Sequence, residues 1–329
     1  MALTRRQKWR IEKVQSEKIA RANKALTKAE NNRLSDQKEQ QGLVITRYGQ
    51  RQLVESLTGE LFQSTGRSNI GLSVAGDQVL FQPAGGNEGI VTAIYPRRNE
   101  LKRQDRLIAA NIDQLWLVVA IEPHYQFELI DRYLILAENS KLPINIVVNK
   151  IELSGNTEQL SLDFSNYEKI GYQVHFLSVK NKTNLEAFKS QLINKTHIFL
   201  GQSGVGKSSL VNALLPGVDI KTSALSEQTN KGVHTTTTAK LFHIPNGGQL
   251  IDSPGIREFG LWHMDTATLL EGFVEFRPYL GYCKFSDCSH DHEPACALLK
   301  ALEEGHIDPI RMASFQHIKA SLDDFTTHN

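Results

Sequence analysis

The run Gly201-Gln202-Ser203-Gly204-Val205-Gly206-Lys207-Ser208 has the pattern of a glycine, four residues and then Gly-Lys-Ser, whose chemistry is the cradling of phosphate. Glycines let successive backbone N–H groups turn inward around phosphate oxygens, and a helix N-terminus adds partial positive charge. Lys207 reaches the outer phosphates and the Ser208 hydroxyl is a ligand for Mg²⁺, with Ser209 next in the helix. The apolar run His197-Ile198-Phe199-Leu200 before the loop reads as a buried strand, and residues 207–215 read as a helix. Strand, loop and helix in register set this apart from a chance glycine-rich turn.

Other residues of the same chemistry lie far away in the chain. Asn149-Lys150-Ile151-Glu152 follows the apolar strand 144–148, at the carboxyl edge where ligands of open α/β sheets bind. Loops that read guanine commonly close on Asp; Glu152 stands in that place, one methylene longer. Ser178-Val179-Lys180 is a candidate second base-side loop, with Val where Ala is usual. Asp252-Ser253-Pro254-Gly255 has the Asp-x-x-Gly form, in which Asp252 binds Mg²⁺ through water and the Gly255 N–H senses the γ-phosphate. The stretch Gly232-Val233-His234-Thr235-Thr236-Thr237-Thr238 suits a switch, with Thr236 completing the Mg²⁺ shell. Many GTPases place Gln after Asp-x-x-Gly to orient water, but Ile256 occupies that position, so a low intrinsic rate follows. His234 is the nearest substitute; an exposed loop histidine without a role is the other reading.

All three cysteines fall in one short stretch, as Cys283, Cys288 and Cys296, with His290 and His292 between them. Three thiolates and an imidazole are the tetrahedral set that structural Zn²⁺ prefers, and an odd cysteine count argues against disulfides.

The elements that position these residues are legible in outline. Between residues 42 and 95 short β-rich runs (43–46, 52–56, 77–81, 89–95) alternate with turn signals, as in a small antiparallel barrel of the oligonucleotide-binding type. Residues 96–106 are charged and suit a linker. Beyond them, strands at 114–121, 144–148, 173–177, 196–200, 238–244 and 249–251 alternate with helices at 127–139, 184–193 and 207–215, an α/β pattern.

Composition bounds the class. At 329 residues with 40% hydrophobic content the chain is long enough for two or three well-formed cores. No apolar run is long enough to span a bilayer and no secretory signal is visible at the N-terminus, so a soluble cytoplasmic protein, with no membrane partner, is expected. The net charge of +1 hides an asymmetry: residues 1–40 hold eleven Lys or Arg against five Asp or Glu, leaving the rest negative. Such an arm fits a phosphate backbone, or it is a solvated helix.

In the order base loop, phosphate loop, threonine switch and Asp-x-x-Gly, the chain resembles the circularly permuted GTPases of the ribosome small-subunit-dependent GTPase A (RsgA/YjeQ) family. The resemblance covers nearly the whole chain. It implies a basic arm at 1–40, an OB-fold barrel at 41–100, a circularly permuted P-loop GTPase domain at 101–262 and a zinc-binding, mainly α domain at 263–329. It implies GTP and GDP as ligands with Mg²⁺, one structural zinc on Cys283, Cys288, His290 and Cys296, and a catalytic part for His234. It further implies a monomer that binds the small ribosomal subunit and its rRNA late in maturation and hydrolyses GTP poorly until docked. Because permutation leads Asp252–Gly255 straight into the C-terminal segment, nucleotide state is expected to reach that segment. Two rivals remain: an RNA-binding scaffold that holds nucleotide only structurally, suggested by Glu152 and Ile256, and an ATPase.

Overall fold

Alternation builds the first part of the molecule. In Arg51–Ser56 the residues Gln52, Val54 and Ser56 are buried between more exposed neighbours, and in Leu61–Gly66 the same holds for Phe62 and Ser64. The structure, a computed structural model, describes residues 9, 11–21, 39–67, 70–103, 106–218, 238–245, 247–253 and 265–326. Five strands, β1 (Gln40–Tyr48), β2 (Arg51–Ser56), β3 (Leu61–Gly66), β4 (Gln78–Pro83) and β5 (Glu88–Ile94), pair in the order β1-β2-β3-β5-β4. An antiparallel β1–β4 ladder, with Gly42 opposite Val79, closes the sheet into a barrel. β3 and β5 run parallel and the other pairs antiparallel, the order of an OB-fold. Val44, Val54, Phe62, Val79, Phe81 and Val91 fill its interior.

Part of the basic arm is helical. Residues 11–21 form α1, whose Ile19 packs on Leu80 and Ala93. The Gln15 amide donates to Ile70 O at 3.1 Å and accepts from Ile94 N at 3.3 Å. The expected linker at 96–106 is instead largely a hairpin of β6 (Glu100–Arg103) and β7 (Arg106–Ala110). Its only apolar residue on β6 is Leu101, between half-buried Glu100 and exposed Lys102 and Arg103, so the run is too short to show a strand period.

The permuted GTPase sheet follows from its apolar runs. β8 (Gln114–Ala120) is buried at every position, as a strand covered on both faces must be. After it come α2 (Phe127–Asn139), β9 (Ile144–Asn149), α3 (Thr157–Lys169), β10 (Val174–Phe176), α4 (Leu185–Ser190), β11 (Thr196–Leu200) and α5 (Lys207–Leu214). The strands lie in the order β10-β9-β8-β11, all parallel. Progress away from β8 through β9 to β10 and then back to β11 on its other side makes the β8/β11 junction a topological switch point, where a crevice opens at the carboxyl ends. β12 (Lys240–His243) and β13 (Gln249–Asp252) pair with each other, and β12 lies antiparallel to β1.

The chain divides into two compact units: the residues up to 112 with 238–243 and 249–253, and those of 113–218, 244–248 and 265–326. In the second unit α6 (Thr266–Gly272), a 3₁₀ segment (Val274–Tyr279), α7 (Ala297–Glu303) and α8 (Pro309–Thr326) gather around Phe273, Phe276 and Phe315, with Ile135 of α2 in the same core. A buried ion network crosses this core. Arg311 of α8 donates to Asp131 of α2, and its Nε and Nη2 reach the Glu275 carboxylate at 2.6 and 3.1 Å. Burial alone would lower the Arg311 pKa; Asp131 and Glu275 reverse that and hold it cationic. Among the described residues no helix is long and apolar enough to cross a membrane.

Candidate nucleotide site and metal centre

The phosphate loop leaves fully buried β11 and enters α5 through three glycines at positive φ: Gly201 at 131°, Gly204 at 84° and Gly206 at 95°. Two of them also have no room for a side chain. A Cβ on Gly201 would lie 2.1 Å from Val118 O of β8, and one on Gly206 would lie 2.3 Å from the Asn149 amide nitrogen. Val205 between them is fully buried, which pins the loop, while Ser203, Gly204 and Ser209 face solvent. Lys207 is 8% exposed, and its ammonium lies over the loop on Gly201 O at 2.6 Å and on Gln202 O. A cation so held inside a ring of backbone groups is suited to phosphate, and Ser208, half-buried one residue on, offers the hydroxyl that fits Mg²⁺.

Asn149 joins the distant segments. It is 2% exposed at the end of β9. Its amide nitrogen donates to Val205 O in the phosphate loop at 2.9 Å, and its side-chain oxygen accepts from Val179 N at 3.3 Å. One buried side chain thus fastens the base loop to both the phosphate loop and the Ser178–Lys180 loop. Lys150 takes the left-handed conformation at φ 62° and donates from Nζ to Glu122 O at 2.6 Å. Residues Ile151–Leu153 form a 3₁₀ turn, tied to β10's end by Ile151 N on Leu177 O at 3.4 Å. Within it the Glu152 Oε2 atom is buried without a hydrogen-bond partner among the described residues. It is an acceptor suited to the N–H edge of a base. Ser178 is fully buried and takes Asn181 N on its hydroxyl at 3.0 Å, so it shapes the loop; Lys180 is exposed.

The cysteine cluster is local. Ligand atoms of Cys283, Cys288, His290 and Cys296 all lie within 4.8 Å of one another. The Cys283 and Cys296 sulfurs are 3.9 Å apart, and His290 Nδ1 is 3.5 and 3.4 Å from them. Tetrahedral zinc with its usual bond lengths demands edges of about 3.8 Å between sulfurs and about 3.6 Å between sulfur and nitrogen, so these three donors fit that ion, with the Cys288 sulfur within 4.8 Å of them. Ala297 N donates to the Cys283 sulfur at 3.4 Å, a supporting contact of the kind metal ligands need. Burial lowers the His290 pKa, which favours the neutral imidazole that ligates. Burial and the neighbouring thiols push the Cys288 thiol up to about 12.

The turn that aims His290 is made by Glu293. Its carboxylate accepts from Ser289 N at 2.7 Å, Asp291 N at 3.1 Å and His292 N at 3.3 Å, and these bonds hold its pKa well below the carboxylate range. His290 is buried, whereas the His292 side chain is 85% exposed against Asp291. Geometry therefore selects His290, the choice that spacing alone left open.

The description RsgA GTPase matches residues 94–262. A small ribosomal subunit biogenesis GTPase RsgA from Hahella chejuensis is 46% identical over 99% of this chain and 97% of its own length. The crystal structure of YjeQ from Thermotoga maritima superposes with a TM-score of 0.73 at 29% identity, covering 87% of this chain and 99% of that one. The structure of YloQ, titled a circularly permuted GTPase, gives 0.72 at 27% identity over 89% and 98%.

The chain belongs to the RsgA GTPase family. It is accordingly a GTP-hydrolysing enzyme with a circularly permuted GTPase domain. Of the RsgA-type site residues expected from sequence, Asn149–Glu152, Ser178 and Gly201–Ser209 gather on the β9, β10 and β11 ends. Asp252 closes β13, opposite Lys240 of β12. His234, Thr236 and Gly255 lie outside the described residues, as does Ile256. Two contributors went unnoticed in the sequence, Glu122, whose carbonyl holds Lys150, and Glu293, while Val179 of the second base-side loop meets Asn149 through its N–H rather than its side chain. Only Glu293 left a signal, an acidic residue three positions beyond His290.

Proposed function

We propose that this GTPase acts in biogenesis of the small ribosomal subunit, binding the subunit and hydrolysing GTP to GDP and phosphate with stimulation on docking. Support comes from relatives of that name that match 97–99% of this chain, barrel and Cys-His cluster included. The observation that carries nucleotide binding is the Asn149 amide on Val205 O, which unites base and phosphate loops around one crevice.

In this reading the inward N–H groups of Gly201–Ser208 and the Lys207 ammonium hold the phosphates, and Glu152 accepts from the guanine edge. Ser208 and Thr236 would hold Mg²⁺, with Asp252 acting through water and Gly255 sensing the γ-phosphate. Mg²⁺ bound with GTP neutralises charge that develops on the transferred phosphoryl group. His234 orients the attacking water once the partner orders its segment, in place of the Gln that Ile256 replaces. One zinc ion on Cys283, Cys288, His290 and Cys296 is structural, since the four protein donors complete its shell. The barrel with the basic arm, and the zinc domain, meet rRNA. The protein works as a monomer in the cytoplasm, with domains at 1–40, 41–100, 101–262 and 263–329.

Phosphate release measured with and without purified small subunits tests this. Stimulation by the subunit that Lys207→Ala abolishes is expected. No release above background in either condition means an RNA-binding scaffold, and preference for ADP over GDP in competition means an ATPase.

A further inference from the structure

Apart from the base and phosphate loops, and touching the switch stretch and the Asp-x-x-Gly element only at Thr238 and Ser253, a cavity of about 450 Å³ lies within the barrel unit. Loop 72–75, the β6–β7 hairpin and the start of β12 enclose it, and none of Asn149–Glu152 or Gly201–Ser209 lines it. Leu72, Val74, Ala75, Leu107, Ile108 and Ala239 give it apolar walls. Arg47, Arg103 and Arg106 bring three guanidinium groups to it, and Thr238 and Ser253 add hydroxyls.

The walls are held in advance of any ligand. Asp77 accepts from Val74 N at 2.8 Å, Arg97 donates to Leu72 O at 2.7 Å, and Ala75 bridges to Ala109 of β7. On the opposite side Thr46 Oγ1 donates to Ala239 O at 2.9 Å. Two of the charges, those of Arg47 and Arg106, are by contrast uncompensated among the described residues. Arg47 is half-buried, yet its bonds go to two carbonyls, Gly49 O at 2.7 Å and Ser73 O at 3.4 Å. Neither Arg47 nor Arg106 has a carboxylate partner among the described residues. Thr238 Oγ1 is buried without a hydrogen-bond partner among them. A half-buried cation without counter-charge and an orphaned hydroxyl, facing one cavity with apolar walls, are groups that an anion with a carbon body satisfies together. A volume of this size falls within the range of small-molecule sites.

We propose that this cavity binds a small organic phosphate, its phosphate on Arg47 and Arg106 and its body against Leu72, Val74 and Ile108. Charge-assisted bonds from guanidinium to phosphate provide the affinity. Calorimetric titration of the GDP-saturated protein with ribose 5-phosphate tests it, because GDP fills the other phosphate site. Saturable one-site binding is expected, weakened at least about tenfold in both Arg106→Ala and Arg47→Met with GDP uptake unchanged. No binding up to about 10 mM overturns the proposal, as does equal affinity in the Arg106→Ala variant, whose side chain is exposed. A single-stranded oligonucleotide forms the second arm. If it binds in an Arg106-dependent way while ribose 5-phosphate does not, the cavity takes a nucleic-acid backbone and the small-molecule assignment falls.

Discussion

The phosphate loop and the cysteine cluster each occupy a short stretch of sequence, yet they solve opposite problems. The loop works through its backbone: glycines at positive φ expose N–H groups, and the space a side chain would need is taken by Val118 O and the Asn149 amide. The cluster works through side chains, four donors within 4.8 Å, aimed by the Glu293 carboxylate under the 289–292 turn. The loop completes its site only when residues from β9 and β10 arrive, whereas every donor of the cluster lies between Cys283 and Cys296. A self-contained site depends on its ion for stability; a site assembled from distant strands depends on the sheet.

That contrast can be broken experimentally. Stripping metal with a chelator, or Cys288→Ser, should cost the most, since structural zinc contributes on the order of 10 kcal/mol of folding free energy in small domains. Hydrogen exchange should then rise across α6, α7 and α8 while the β8–β11 sheet keeps its protection. Collapse of both together would mean the cluster is not self-contained. Arg311→Ala, which leaves Asp131 and Glu275 buried without their cation, should lower stability by about 3–5 kcal/mol by urea unfolding. Its loss tests whether the sheet and the C-terminal helices share one core.

On the loop side, Gly206→Ala meets both strain at φ 95° and the Asn149 amide at 2.3 Å. We expect a loss of roughly 3 kcal/mol in GDP binding, on the order of a hundredfold, with little change in zinc content. Asn149→Ala removes the amide from Val205 O and Val179 N and should cost about 1–3 kcal/mol, read as a rise in the GDP dissociation constant. Equal GDP affinity would show that the loops assemble without their fastener.

The smallest effect concerns pH. His197 on β11 is fully buried; Trp116 Nε1 donates to its Nδ1 at 2.9 Å, so its proton is on Nε2, facing Leu192 O at 2.9 Å. Burial lowers its pKa, and the same cause lowers that of His175. As pH falls through about 6.5 the unfolded chain takes up these protons before the folded one does. Stability is therefore full above that range and declines below it, by at most about 1.4 kcal/mol per pH unit for each group. Urea midpoints at pH 7.5 and 5.5 should differ in that direction.

Much of this was legible in the chain because it is written contiguously. The barrel alternation, the buried strands 114–120, 144–149 and 196–200 and the cysteine spacing are local patterns. α3 was not legible. Its buried residues are Leu160, Phe164 and Tyr167 alone, on an otherwise polar helix, and its clearest mark is Asn156, which caps it by accepting from Glu158 N and Gln159 N. The β6–β7 hairpin escaped for a similar reason, being four and five residues of mostly charged strand.

Sequence alone determined the chemistry on offer, a phosphate-cradling loop and three thiols with a nearby imidazole, because each is set by residue types within a few positions of one another. Tertiary structure decided which groups meet. Only packing of β9 beside β8, and of β8 beside β11, brings the Asn149 amide within 2.9 Å of Val205 O across fifty-six positions of chain. Likewise only the turn gathered by Glu293 buries His290 and leaves His292 in solvent. Residue order carries no distances, and a hydrogen bond depends on them to a few tenths of an ångström.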